Sequence, residues 1–374
     1  MTGGAAPPAT EITPAPPSAA PLVARQSLRA QLEEALLPAV VALLLAAVVG
    51  DVLILSFGQS PGNVYRLLLE GSWGNAYGFG QVLYKATTFT FTGLAVAIGL
   101  RAGLFNIGAE SQLAAGGFVA ALVGLLLPSG LPALVTLPLF LVAAAAGGGV
   151  VGAIPGALKA KFGAHEVITT IMLNFIVLAL LNYFISAHLK VPDTLHTAEL
   201  HSGALPQLSA YISAFHGSAA NLVLVIALIA AWASWWFLFR TRAGFELRAT
   251  GLQPEAAEYG GVRVGSVWWR AMALSGALAG LGGLNFVLGS KHYYEDGFAS
   301  GAGFLGIAVA IVGRSNPLGV VLAALLFATL SQGGLAVNAL VPKQIVDVLQ
   351  AVVIIAVAAS VPEVRRMLRR GGVR

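Results

Sequence analysis

Cysteine is absent from the 374 residues, which excludes disulfides, a thiol nucleophile and any cysteine metal site. Charge is scarce as well. Asp, Glu, Lys and Arg together make up 10% of the chain, against about 25% in soluble domains. No Walker-type glycine loop, HExxH or GxSxG occurs, so no known signature for ATP hydrolysis, zinc proteolysis or acyl transfer is present. What fills the chain instead is apolar: 57% of residues are hydrophobic, with several runs of about eighteen or more that a soluble core does not need. The 45 glycines suit helices packed closely through small side chains.

These features predict an all-α integral membrane protein of about ten transmembrane helices, some of them broken. The expected spans are Leu36–Leu55, Tyr84–Leu100, Gln112–Leu127, Leu131–Leu158, Val167–Ile185, Asn221–Phe239 and Val267–Leu288, then Phe304–Gly313, Leu318–Leu330 and Ile345–Val361. Before them, residues 1–24 are Pro/Ala-rich and read as a disordered tail; residues 364–374 read as a basic tail, with the transmembrane domain over 25–363 between them. In this topology sixteen of the 21 basic residues lie in inner segments, and only Arg66, Lys85, Lys190, Lys291 and Lys343 in outer ones. The positive-inside rule then places both termini in the cytoplasm. The net charge of +5 follows from this segregation and does not point to nucleic acid.

The most polar stretch between spans is the loop 240–263, which the topology puts on the cytoplasmic side. Pro254 suits the first position of a short helix, since its missing N–H costs nothing there. Glu255 then sits at the positive end. Gly260 and Gly261 stop the helix after Tyr259 by supplying left-handed freedom. Two loops of the opposite side, Ser186–Ser218 and Lys291–Ser300, are large. His188, His196, His201 and His216 are spaced too irregularly for a structural zinc site, so no metal is expected.

The residues Arg242, Gly244, Arg248, Gly251, Gln253, Pro254, Ala256, Ala257, Tyr259, Gly261 and Val262 resemble the coupling loop of permease subunits in ATP-binding cassette (ABC) importers. The family often has Asn where Gln253 stands. Gly103 to Gln112, GLFNIGAESQ, is similar to the GLFNIGAEGQ signature of the nucleoside and simple-sugar branch, departing at Ser111. His165 to Phe175, HEVITTIMLNF, resembles a further block, departing at His165. Its Glu166, Thr170 and Asn174 fall on one helix face.

The resemblance implies a nucleoside importer permease. A separate ABC ATPase would hold ATP and Mg and act on Arg248, Pro254, Glu255, Ala256, Ala257, Tyr259 and Gly261; this chain itself would bind no cofactor and catalyse nothing. An extracytoplasmic binding protein or lipoprotein would deliver the solute, and a second, related permease would complete a heterodimer. Broken helices at membrane depth often form transport sites, so Phe105 is expected to stack on the base, with Asn106, Glu110, Gln112 and Asn174 along the substrate pathway. The plainer reading is that these polar groups only tie helices together. A ribose-like sugar importer and an ion-coupled carrier using Glu110 or Glu166 remain alternatives. An enzyme using His165 and Glu166 is a thinner one. The decapeptides GLAVAIGLRA at Gly93 and GIAVAIVGRS at Gly306 hint at duplication or arise by chance.

Overall fold

The computed structural model describes residues 44–338, 340–342 and 344–357. The two expected tails, the approach from Arg25 to Glu34, the start of the first span, Lys343 and the end of the last span lie outside these residues. Among the described residues there is no β-strand. Six helices are long and apolar enough to cross a membrane, or up to seven if a bent pair is counted as one span.

That bent pair comes first. Helix α1 (Leu44–Ser56) meets α2 (Pro61–Ser72) at 111°. The sequence reading ended the first span at Leu55 and did not foresee α2. Pro61 occupies its first turn, where proline is at home. Its apolar side (Val64, Leu68) then packs with Ile54, Val337 and Ile345.

Helix α3 (Ala76–Arg101) is the buried axis of the protein. Around it stand α4 (Ala109–Leu126), α5 (Ala133–Phe162), α6 (Glu166–Phe184, continuing as a π-turn over Ile185–Leu189) and α7 (Val223–Arg240). Two short helices follow, α8 (Arg242–Leu252) and α9 (Pro254–Tyr259). The expected span Val267–Leu288 is two pieces, α10 (Val264–Gly282) and α11 (Leu284–Val287), broken at Gly283. A side chain at Gly283 would run into the backbone of Gly117. Last come α12 (Ala302–Val312), α13 (Pro317–Val337) and α14 (Gln344–Val357).

Small residues set the tightest crossing. On α5, Gly148, Gly152 and Gly156 recur every fourth residue, and Gly276 and Gly280 do so on α10. A Cβ on Gly152 would stand 2.9 Å from Gly276 Cα. This is the small-residue packing expected of membrane helices, where close backbone approach replaces the hydrophobic drive. On α6, Glu166, Thr170, Asn174, Val177 and Leu181 turn inward, while Ile168, Met172, Phe175 and Ile176 are exposed. An apolar exterior with polar groups inside is the pattern of a helix facing lipid.

The two decapeptide copies lie on α3 and α12 and pack side by side. A Cβ on Gly93 would meet Val309, and one on Gly306 would meet Thr92. Further along, Arg101 Nε donates to Ser315 O at 2.9 Å. The copies therefore run parallel, which excludes an inverted relation between them.

Candidate functional site

At one end of the bundle α7 turns into α8 with no spare residue. Thr241 closes α7 by donating its hydroxyl to Phe237 O at 2.7 Å, and caps α8 by accepting from Gly244 N at 3.0 Å. The sequence reading took 240–263 as a loop with one short helix at Pro254, and did not foresee α8. α9 occupies Pro254–Tyr259 as expected. Gln253 stands at its N-cap without a side-chain hydrogen bond, as befits a weaker capping residue than Asn. The left-handed step that ends it belongs to Gly261 (φ 84°), whereas Gly260 keeps φ −75°.

Only Ala257 of α9 is buried. Glu255, Ala256 and Glu258 are exposed, and Tyr259 is 95% exposed. The helix thus presents most of its surface outward while Ala257 holds it to the bundle. Arg248 lies on α8 with its Cζ 5.1 Å from the centre of the Phe239 ring, and Arg101 approaches the same ring at 5.7 Å.

α8 in turn touches the break between α3 and α4. Gly251 has no room for a side chain beside Arg101 O, and a Cβ on Gly103 (φ 74°) would stand 3.2 Å from Gly251 Cα. Three residues beyond Gly103 the polar signature folds into a closed knot. Asn106 Nδ2 donates to Gln112 Oε1 and to Ser275 Oγ, both at 2.8 Å. Asn106 Oδ1 accepts from Gln112 Nε2 at 3.1 Å and Gly108 N at 2.9 Å. Asn174 accepts from Ser111 N at 3.1 Å and donates to Ile107 O at 2.9 Å. Glu110 reaches across to α12, accepting from Gly301 N at 2.7 Å and Gly303 N at 2.6 Å.

The residues singled out in the sequence are thus brought together. Asn106, Glu110, Gln112 and Asn174 are all buried and bonded to protein, and Phe105 is half-buried. Glu166 is paired with Lys159 at 2.6 Å, whose ammonium also lies 5.2 Å from the centre of the Trp268 ring.

None of these residues lines a cavity of about 590 Å³ that opens among α3, α12, α13 and α14. Its apolar wall includes Phe286 and Phe298, whose rings stack with centroids 4.8 Å apart and planes 28° apart. Its polar wall includes Tyr84, Lys85 and Thr88 of α3, Ser331 of α13, and Asp347 and Gln350 of α14. Lys85 Nζ donates to Ser331 O and Oγ, each at 3.3 Å. Asn285 Nδ2 donates to Tyr84 O and Thr88 Oγ1, each at 2.8 Å. Sequence reasoning missed this site because its groups are single polar residues scattered over separate segments, with no spacing to link them. At 1.5 Å per residue along α3, Tyr84 to Phe89 lie roughly 18–26 Å from Arg101, so the cavity meets α3 in the half away from the α8–α9 hook.

Two loops pack together beside the cavity, which the second lines through Phe298, Ala299 and Ser300. Thr197 N donates to Tyr294 O at 2.9 Å, Leu200 N to His292 O at 2.8 Å, and Asp296 N to Leu195 O at 3.0 Å. His196 stacks on Tyr293 at 4.4 Å. Burial first, and then the Asp296 charge, push the Tyr294 phenol well above its ordinary range. Among the described residues no three His, Asp or Glu side chains gather as a metal-holding group.

Residues 78–358 match the family described as branched-chain amino acid transport system / permease component. The chain is 40% identical over 333 residues to the guanosine ABC transporter permease protein NupP of Bacillus subtilis (strain 168), covering 87% of this chain and 93% of that one. It is 33% identical to the nucleoside ABC transporter permease protein NupB of Lactococcus lactis subsp. cremoris (strain MG1363), covering 86% and 90%. It is 32% identical to the glucose ABC transporter permease protein TsgB13 of Haloferax volcanii, covering 86% of each. No solved structure matches. The matched stretch takes in the α8–α9 hook, the α3–α4 break and the cavity alike, and with it the chain belongs to the branched-chain amino acid transport system permease family, as a multi-pass inner-membrane transport subunit.

Proposed function

We propose that the chain is the permease subunit of an ABC importer that carries nucleosides into the cytoplasm. The observation that carries this reading is α9, a six-residue helix stopped at both ends, exposed on most of its surface and fixed to the bundle through Ala257. Its use is as a grip for a partner. The two relatives of higher identity named above, both nucleoside permeases, supply the solute class.

The proposed topology has ten crossings and both termini in the cytoplasm. α1 crosses, α2 folds back, α10 and α11 make one broken crossing, and α12, α13 and α14 complete the set. Arg101, Lys159, Arg240 and Arg314 then fall on the α8–α9 side, in keeping with the positive-inside rule. A separate ATPase binds ATP and Mg and grips α9 through Pro254, Glu255, Ala256 and Tyr259. A second, related permease completes the pathway, and an extracytoplasmic binding protein docks on the loops around Thr197 and Tyr294.

Movement of α9 is passed to α8, and from Gly251 to the Gly103 turn by backbone contact. The Arg101 bond to Ser315 hands it on to the α12–α13 turn. In this scheme Phe105, Asn106, Glu110, Gln112 and Asn174 form the pathway's inner wall, where the solute meets their polar atoms only in a conformation that opens the knot.

The test is uptake of labelled guanosine, uridine and glucose by cells with and without this gene. Nucleoside uptake that depends on the gene and stops on ATP depletion supports the reading. Gene-dependent uptake of glucose alone shifts it to the sugar class represented by the Haloferax relative. Uptake that survives ATP depletion overturns it in favour of an ion-coupled carrier.

A further inference from the structure

Resting on the nucleoside reading, we infer that the cavity walled by Phe286, Phe298, Asp347 and Gln350 is where the solute rests, and that it is built for an uncharged solute and against its phosphate ester. The size fits: pockets for small molecules run from roughly 300 to 1,000 Å³, and this one is about 590 Å³. A planar base needs an apolar, flat surface, which the stacked Phe286–Phe298 pair offers, since offset stacking is the favoured aromatic geometry. A ribose needs donors and acceptors within reach. Tyr84, Thr88, Ser331, Asp347 and Gln350 line the same space.

Discrimination against phosphate arises from Glu110. The N-terminus of α12 opens into the cavity wall at Gly301 and Ala302, and a free helix N-terminus attracts anions. Here it is already filled: the two carboxylate oxygens of Glu110 accept from Gly301 N and Gly303 N. Among the charged groups on the wall, Lys85 is turned to Ser331 and is matched in number by Asp347. A phosphate entering this space loses water and meets a single ammonium, already bonded to Ser331 and matched by the Asp347 carboxylate; neutral hydroxyl and amide donors do not offset its charge, and an anion stripped of water without charged partners is strongly disfavoured. A neutral nucleoside carries no such penalty. The position also suits transit. The cavity adjoins the loop Lys291–Ser300, whose Phe298, Ala299 and Ser300 line it, and meets α3 in the half away from the hook.

The experiment uses the complete transporter in proteoliposomes, loaded through its binding protein and supplied with ATP, first to establish guanosine uptake. The same complex without binding protein is then irradiated with 8-azidoguanosine, and the labelled peptides are identified by mass spectrometry. Label on residues 284–302 or 344–354, protected by guanosine and not by guanosine monophosphate, is the expected result. Gln350→Leu and Asp347→Asn, near-isosteric changes, are expected to raise the half-saturating guanosine concentration at least about fivefold, the size of one lost hydrogen bond. ATP hydrolysis is expected to persist, because α9 is untouched. Label confined to the Asn106–Asn174 region, absence of label from a complex that transports, or equal protection by the monophosphate overturns the inference and leaves the transport reading standing. A complex that takes up no guanosine overturns both.

Discussion

Gly251 of α8 lies against the turn that ends α3, so closely that a Cβ on Gly103 would stand 3.2 Å from Gly251 Cα. In the other direction, a Cβ on Gly251 would collide with Arg101 O. Two backbones in such contact move together, because packed interiors shift as rigid units and do not deform continuously. Gly251→Val should therefore separate α8 from the α3–α4 break, at a cost of about 1–3 kcal/mol for overpacking. The expected outcome is a membrane-inserted protein whose complex hydrolyses ATP at a near-normal rate but moves at least about fivefold less solute per ATP, since a cost of about 1 kcal/mol is about fivefold in an equilibrium. Parallel ATPase and uptake assays on proteoliposomes check it, and normal uptake would remove Gly251 from the path.

Glu110 was read in the sequence as a pathway group, and its observed partners make a separate prediction about stability. Removing it leaves Gly301 N and Gly303 N, now bonded at 2.7 and 2.6 Å, without an acceptor. An unsatisfied buried donor costs about 1–3 kcal/mol. Glu110→Ala should lower the melting temperature of the detergent-solubilised permease measurably, and Glu110→Gln, which keeps one acceptor, by less. Equal losses for the two would show that the cap on α12 has no part in stability.

How legible all this was depends on how local the cause is. α9 could be read to the residue, because its start and stop are written in Pro254 and Gly261 within eight positions. The inward face of α6 followed from the four-residue spacing of Glu166, Thr170 and Asn174. By contrast α2 was hidden: Arg66 and Glu70 break its apolar run, and only its packing on Val337 and Ile345 explains why it is there. The cap of α12 by Glu110 joins residues 191 positions apart, and no pattern within either segment announces it. For the same reason the cavity was invisible. Phe286, Ser331 and Gln350 each read as an ordinary residue of its helix until the fold brings them together.

The Asn106 knot invites a double-mutant test. Asn106 and Gln112 exchange two hydrogen bonds, at 2.8 and 3.1 Å, and Asn106 is fully buried. Asn106→Leu strands Gln112 and the Gly108 N–H, with an expected loss of about 1–3 kcal/mol for each group left unpaired. Gln112→Leu takes two bonds from Asn106, which keeps those to Ser275 Oγ and from Gly108 N. Changing both removes the mismatch, so the double variant should be less destabilised than the sum of the singles, by an interaction of about 0.5–3 kcal/mol. Thermal denaturation of the four proteins in one detergent measures the difference. Strict additivity would mean that the two amides act independently.

The hook itself is tested by reversing its charge and filling its small-residue face at once. Glu255 and Ala256 are exposed on α9, so Glu255→Arg with Ala256→Asp disturbs no buried contact, and surface changes of this kind usually alter stability by no more than about 0.5 kcal/mol. Insertion and thermal stability of the permease should stay as in the parent. What changes is the surface offered to the ATPase: an anion at the positive end of the helix becomes a cation, and a methyl-sized position gains a charge that must be desolvated on docking, which costs several kcal/mol when left unpaired. The expected result is a complex that either fails to retain its ATPase on size-exclusion chromatography or retains it while uptake falls at least about a hundredfold relative to hydrolysis, since some 2.8 kcal/mol of lost interaction is two decades. Substituting Ala257 instead should act differently, because that residue is buried: Ala257→Asp is expected to loosen α9 from the bundle and lower stability as well as uptake. Normal ATP-driven uptake by the Glu255→Arg, Ala256→Asp protein would show that α9 is not the grip, whatever else the bundle does.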